Sequence, residues 1–160
     1  MRAMRKADRQ KDAQWALEVF DKAPYVTVSM VRPDGTPYGV PLSLIRKDEN
    51  TFYFHCAEEG EKLDCLKENP TVSLSAVSKC SPKFEEDKQN FTEHYHSAMA
   101  VGRAEIVTDR QEKIEVLRLL CQRLLPQHME HFDNAIARSL DRTAIVKIVL
   151  TEPPVGKCKS

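Results

Sequence analysis

The stretch YVTVSMVRPDGTPYGVPLSLIR, residues 25–46, decides how this chain folds. Apolar Val26, Val28 and Met30 alternate with Thr27 and Ser29, the period-two pattern of a strand buried on one face. Arg32-Pro33-Asp34-Gly35 then reads as a turn, because proline presets φ and glycine accepts positive φ. Val40, Leu42 and Leu44 keep step in a second strand, from about Thr36 to Arg46. Pro37 and Pro41 have no N–H to give to a ladder, which puts part of that strand at a sheet edge or a bulge.

Upstream, Trp15, Ala16, Leu17, Val19 and Phe20 suit an amphipathic helix over about 8–22, ended by Pro24. Downstream, Lys47 to Asn50 turns the chain into a third strand, Thr51 to Cys56. A helical pattern from about Glu58 to Glu68 stops at Asn69-Pro70. Val72, Leu74 and Ala76 alternate in a fourth strand, and the polar run from Ser78 to Asn90 reads as an exposed loop. A long fifth strand, Phe91 to Val107, holds Gly102 at a bulge or a close approach. Thr108 to Gln111 resembles a capping box, with the Gln111 side chain reaching back. Ile114, Leu117, Leu120, Cys121 and Leu124 share one face of the helix behind it. A shorter helix carries Met129, Phe132, Ile136 and Leu140, then a last strand runs from Arg142 to Leu150 into a polar tail, about 151–160. Six strands with scattered helices predict one mainly β, barrel-like α+β domain over 1–160, without doubly wound alternation.

With 160 residues, 41% of them hydrophobic, the chain is long enough for one buried core. Lys+Arg and Asp+Glu both number 24, so the formal net charge of +0 argues against bulk attraction to nucleic acid or anionic lipid. No apolar run reaches the roughly 20 residues that span a bilayer. The charged start MRAMRKADRQKDAQ lacks the apolar stretch of a secretory signal, and a cytoplasmic protein is expected. The cysteines Cys56, Cys65, Cys80, Cys121 and Cys158 form no CxxC pair and are odd in number, as free reduced thiols would be.

The most informative chemistry lies in FYFHCAEEGEKL, residues 52–63. A strand ends, a loop follows, and a helix starts with Lys62 in its first turn. Unpaired N–H groups there favour an anion, and the ammonium adds a full positive charge. Glu58, Glu59 and Glu61 oppose an anion at the same place, and Lys62 reads otherwise as a solvated surface lysine. His55 could donate to a phosphate or a ring oxygen, or simply be a strand histidine satisfied by backbone. Val40, Pro41, Leu42 and Ser43 could bed a planar ring, or form an ordinary edge strand. His94 and His96 share one strand face and could hold a divalent metal given a third ligand. A glutamate about four residues on would complete a cupin-type site; Ala100 and Val101 stand there, and Glu105 is too far. Cys56, Cys65 and Cys80 lack a nucleophile-and-base signature, which speaks against nucleophilic catalysis, and Walker-type, GxGxxG and Ser-His-Asp signatures are absent.

The order of the pieces VPLS (40–43), YFHCAEEGEKLDCLKENP (53–70) and SAMAVGRAEIV (97–107) resembles the FMN-binding split-barrel proteins related to pyridoxamine 5′-phosphate oxidase. Within that superfamily it is most similar to the 5-nitroimidazole-resistance branch, over roughly Arg5 to Lys157. The resemblance implies a six-stranded antiparallel split β-barrel of Greek-key type with flanking helices, binding FMN at the interface of a homodimer. It implies that Val40, Pro41, Leu42 and Ser43 line the flavin ring, and that His55, Cys56, Ala57 and Lys62 hold the phosphate end with Leu63 packing nearby. Ser97 is a further candidate, although the branch has Tyr-x-Ser-Val where this chain reads Tyr95-His96-Ser97-Ala98. Cys56 stands where glycine is common, and the 80–92 loop is unusually acidic. The arginine-rich substrate motif of pyridoxamine 5′-phosphate oxidase is missing from the tail TEPPVGK, 151–157. The implied activity is an FMN-dependent oxidoreductase that reduces a small molecule such as a nitroaromatic, with His55 and Tyr95 as candidate catalytic groups, no metal, no nucleic acid and no membrane. The alternatives are a non-catalytic FMN-binding or flavin-sensing protein, and a cupin-like metal protein through His94 and His96.

Overall fold

The structure, a computed structural model, describes residues 3–160; residues 1 and 2 of the expected 1–160 domain lie outside them. The change of hydropathy period after Pro24 is where helix gives way to sheet. In chain order the elements are β1 (Gln10–Lys11), α1 (Ala13–Lys22), β2 (Val26–Val31), β3 (Pro37–Leu42), β4 (Ile45–Arg46), β5 (Thr51–Ala57), α2 (Glu61–Glu68), β6 (Thr71–Glu85) and β7 (Asn90–Ile106). There follow α3 (Arg110–Leu124), α4 (Phe132–Ser139), β8 (Thr143–Leu150) and β9 (Val155–Lys159).

The split barrel of six strands is not what the chain forms. The nine strands of the described residues make one antiparallel sheet in the order β3-β2-β6-β7-β8-β5-β4, with β9 joining β7 to β1. Among the described residues no ladder joins β3 to β4, so the sheet stays open and the fold is a mixed α/β one with four helices. The edges explain why. β3 carries Pro37 and Pro41, which have no N–H, and β4 is two residues long, so neither presents a row of donors for closure. The single second strand expected over 36–46 is thus cut at Ser43 and Leu44, and its halves lie at opposite ends of the sheet.

Two other expectations fail for a shared reason. The polar 78–90 loop is instead a hairpin arm, with β6 and β7 paired out to Glu85↔Asn90 and one irregularity between Val77 and Lys79. The polar tail contains β9, paired with Tyr95–Met99 of β7. A ladder is made of backbone groups, which side-chain polarity does not report. Across the arm, Phe84 and Phe91 face each other with ring centroids 4.8 Å apart. Gly102 marks a close approach to β8 and no bulge, and the cap of α3 is Asp109, while Gln111 turns to Glu115.

The core has two parts. Phe52 and Phe54 face α1, β2, β6 and β8 in the larger one, while Tyr53 faces α3 and α4 in the smaller one. All three are 1% exposed, and burying each such ring is worth about 1.5–3 kcal/mol. Helices therefore cover both faces of the sheet at β5 and β8. At β2, β6 and β7 one face packs on α1, while the other leaves Ser29, Ser73, Ser75 and Met99 exposed.

Candidate functional site

β5 ends at Ala57, and Glu58, Glu59 and Gly60 lead into α2. Gly60 holds φ at +135°, a conformation that favours glycine, with nothing within 4 Å of where a Cβ would stand. Helices α1 and α3 start under carboxylate caps: Asp12 accepts from the Trp15 N–H at 2.8 Å, and Asp109 from the N–H groups of Gln111 and Glu112 at 2.7 and 3.3 Å. Among the described residues no side chain caps α2. Its Leu63 and Asp64 N–H groups return to the Gly60 carbonyl, and the N–H groups ahead of them point out of the helix start. Lys62 rises from this same turn, half-buried.

The carboxylates that the sequence sets against an anion are partly neutralised by distant residues. Arg32, from the β2–β3 turn, donates through Nε to Glu61 Oε1 at 2.5 Å, and Lys113 of α3 lies 3.9 Å from Glu58. The Glu61 hydrogen bond raises the Arg32 pKa further above its ordinary value. A second donation to the Pro37 carbonyl at 2.8 Å and a stacking contact with Tyr38, 4.9 Å to the ring centroid, hold the guanidinium in place. Arg32 is the residue that sequence reading missed at this site. It lies 29 positions from Glu61, and no local pattern links them.

The end of β5 splits its residues between faces. Cys56 turns towards the larger core, which also contains Leu63 and is flanked by Val40 and Leu42. Burial pushes the Cys56 thiol up, opposed by the charge of Lys62, so the two lie within electrostatic reach. His55 and Ala57 are exposed. Of the VPLS stretch, Val40 and Leu42 point inward, whereas Pro41 lies beside Thr27 on the uncovered face, and Ser43 falls between β3 and β4. The four side chains therefore do not line one surface within a single chain.

That uncovered face carries a groove of about 370 Å³ lined by Tyr25, Thr27, Ser75, Val77, Ser97 and Met99, among others. Ser97 sits here, its hydroxyl 3.5 Å from the Lys157 carbonyl. Tyr95 is further out along β7, where Lys157 lies 5.5 Å from its ring. Burial acts to raise the Tyr95 pKa, but hydrogen bonds to Arg9 and Lys157 and their charges outweigh it and bring it below the ordinary phenol value. Tyr95 lies eleven positions before Ile106, which aligns with the His55 end of the sheet through β8. At about 3.3 Å per residue that is roughly 35 Å of strand, so His55 and Tyr95 do not meet within one chain.

His96 packs its ring on Trp15, with centroids 5.2 Å apart, and burial lowers its pKa. Among the described residues no cluster of three or more metal-ligating groups includes His94 or His96. Burial holds the Cys65 thiol protonated, and a hydrogen bond to Glu93 at 2.9 Å does so for Cys80. Neither is an activated nucleophile. No helix among the described residues is long and apolar enough to cross a membrane.

The family model described as pyridoxamine 5′-phosphate oxidase matches residues 12–155. The chain belongs to the pyridoxamine 5′-phosphate oxidase family. No curated protein matches it. Among solved structures it is similar to a candidate 5-nitroimidazole antibiotic resistance protein from Bacteroides thetaiotaomicron, at 21% identity and TM-score 0.78, over 93% of this chain and 88% of that one. It is also similar to the flavocytochrome Anf3 from Azotobacter vinelandii, at 22% identity and TM-score 0.84, over 99% and 72%. An FAD and heme binding protein from Mycobacterium smegmatis matches at 20% identity and TM-score 0.78, over 95% and 74%. At these identities the likeness to the solved members is one of fold.

Proposed function

We propose that this member of the pyridoxamine 5′-phosphate oxidase family is an FMN-binding oxidoreductase acting as a homodimer. The observation that carries the reading is the start of α2. Its N–H groups have no side-chain cap, Gly60 leaves space, and Lys62 and Arg32 bring two cations to the same turn. That donor set fits a phosphate monoester, the terminal group of FMN. Lys62, Arg32 and the exposed His55 would hold the phosphate, with Cys56, Ala57 and Leu63 forming the wall behind it.

Val40, Pro41, Leu42 and Ser43 belong in this reading to the ring end, and Ser97 to the partner's contribution across the uncovered face. The exposure of Tyr25 (61%), Val77 (51%) and Met99 (46%) around small serine and threonine side chains supports that face as the dimer contact. The flavin, when bound, supplies electron transfer between a reduced donor and an oxidised acceptor. The chain's own part is to bind, orient and shield it. A small nitroaromatic is the acceptor class in this reading, supported by the fold shared with the Bacteroides protein.

The test is the absorbance spectrum of the purified protein, followed by identification of what acid releases and turnover with nitro and quinone acceptors. Released FMN near one per chain is expected, with steady-state reduction. FMN without turnover would leave a flavin-binding protein and remove the enzyme. A colourless protein that refuses added FMN would overturn the whole reading.

A further inference from the structure

The 3-10 turn Pro126–His131 joins α3 to α4 on the side of the molecule served by the smaller core. It reads PQHMEH, with His128 and His131 three positions apart. The segment kinks at His128, whose φ of −119° and ψ of 16° are not helical. Across that kink His128 and His131 stack, ring centroids 6.4 Å apart and planes 27° from parallel. His131 Nε2 lies 3.4 Å from Glu130 Oε1. One donor atom from each of the three residues falls within 4.8 Å of the other two.

Around a tetrahedral zinc, with bonds near 2.0–2.1 Å, ligand atoms stand about 3.3 Å apart. The three donors therefore need to close by no more than about 1.5 Å, a side-chain adjustment open to exposed residues. The backbone under them is anchored. Pro126 has its φ fixed by its ring, the His128 N–H returns to the Leu125 carbonyl at 3.0 Å, and the next residue, Phe132, is buried beneath the Arg118 guanidinium. Beside the two rings lies a hollow of about 200 Å³ lined by Cys121, Leu125, Met129, Phe132 and Ala135 as well as both histidines. It gives one side of the site an apolar wall, which limits solvent access to a bound ion.

We infer that His128, Glu130 and His131 form a site for a divalent transition metal, separate from the flavin site. Two imidazoles and a carboxylate favour zinc, nickel and copper over magnesium or calcium, with copper(II) bound most tightly. Three protein ligands leave a coordination position open to water or to a small ligand entering along the hollow.

The experiment uses the full chain without a polyhistidine tag and titrates it calorimetrically with zinc and with copper(II), against magnesium as control. One metal per chain is expected, with no binding of magnesium. His128→Ala and His131→Ala are each expected to weaken zinc at least about tenfold, the size that even outer-shell partners carry, and Glu130→Gln to weaken it less. His94→Ala and His96→Ala leave affinity unchanged. Copper(II) electron paramagnetic resonance reports two imidazole nitrogens in the parent and one in either His→Ala variant. Absence of stoichiometric binding overturns the site, and so does binding that survives His131→Ala or is lost with His94→Ala. Circular dichroism keeps a folding defect distinct from a lost ligand.

Discussion

Gly102→Ala is a stringent test of the packing. Gly102 sits where β6, β7 and β8 meet, opposite Val72 on one side and Leu150 on the other. A Cβ there would stand 2.7 Å from Ile148 Cγ2 and 2.9 Å from the Val149 carbonyl oxygen. Ile148 is fully buried and cannot swing into water, and the carbonyl belongs to the backbone of β8. Restoring ordinary contact needs shifts of roughly 0.5–1 Å at both atoms. An off-rotamer Ile148 costs about 0.5–1.5 kcal/mol, and overpacking in total about 1–3 kcal/mol. Alanine's lower chain entropy in the unfolded state offsets about 0.5–1 kcal/mol of that. The net is a loss of about 1–2 kcal/mol, or roughly 2–8 °C in Tm for a chain of this size. Urea unfolding followed by circular dichroism measures it, with an unchanged slope expected. Gly39→Ala is the control, since its nearest neighbours stand at 3.6 and 3.7 Å, ordinary contact, so the entropy gain is unopposed and the variant should equal the parent or exceed it by up to about 1 kcal/mol. A Gly102→Ala protein as stable as the parent would refute the close-approach argument.

Lys62→Ala should weaken FMN binding about tenfold or more, read by flavin fluorescence quenching, because one charge-assisted contact is lost. Full FMN occupancy in the purified variant would remove Lys62 from the phosphate site. Asp109→Ala leaves the first N–H groups of α3 without their cap and should cost about 1 kcal/mol in urea unfolding. Hydrogen bonds from Tyr53 and Lys147, led by Tyr53 at 2.8 Å, hold Glu112 below the usual carboxylate range against the opposing effect of burial. A depressed carboxylate adds stability in full above its unfolded pKa and loses it as pH falls through the folded one, so Glu112→Gln should flatten the acid limb between about pH 5 and pH 3. Burial and the same Glu112 contact raise the Tyr53 pKa, so stability should also fall above about pH 10, where the unfolded phenol ionises first, and Tyr53→Phe should remove that fall.

What the sequence made legible were the features written in side-chain pattern. The alternation of Val26, Val28 and Met30, the turn at Pro33-Asp34-Gly35 and the stop at Asn69-Pro70 all stand in the structure. Strand formation in the arm and in β9 was not legible, because Lys79–Lys83 and Lys157–Lys159 pair through backbone groups while presenting polar side chains. Openness of the sheet was hinted at by Pro37 and Pro41, yet the separation of β3 from β4 depends on pairings with residues far along the chain. At the site, Lys62 was readable in the first turn of a helix, although that helix was expected from about Glu58 and starts only at Glu61, after Gly60. Arg32 was not, because its partner Glu61 belongs to another element and only the folded sheet brings the two together.

The pairing of β1 with β9 also constrains how the chain reaches this fold. Gln10↔Lys157 and Lys11↔Gly156 are contacts between segments separated by roughly 150 residues. Closing a flexible loop of that length costs about 4.4 kcal/mol by the (3/2)RT ln n rule, against about 1.4 kcal/mol for the hairpin that brings Glu85 to Asn90. The arm is therefore an early structure and the terminal ladder a late one. A ribosome-bound chain has completed β7 some 50 residues before β9 exists, and until then Tyr95–Met99 is a bare strand edge. Nascent chains are expected to be most prone to mispairing in that interval, and a variant truncated before Val155 should aggregate through the same edge.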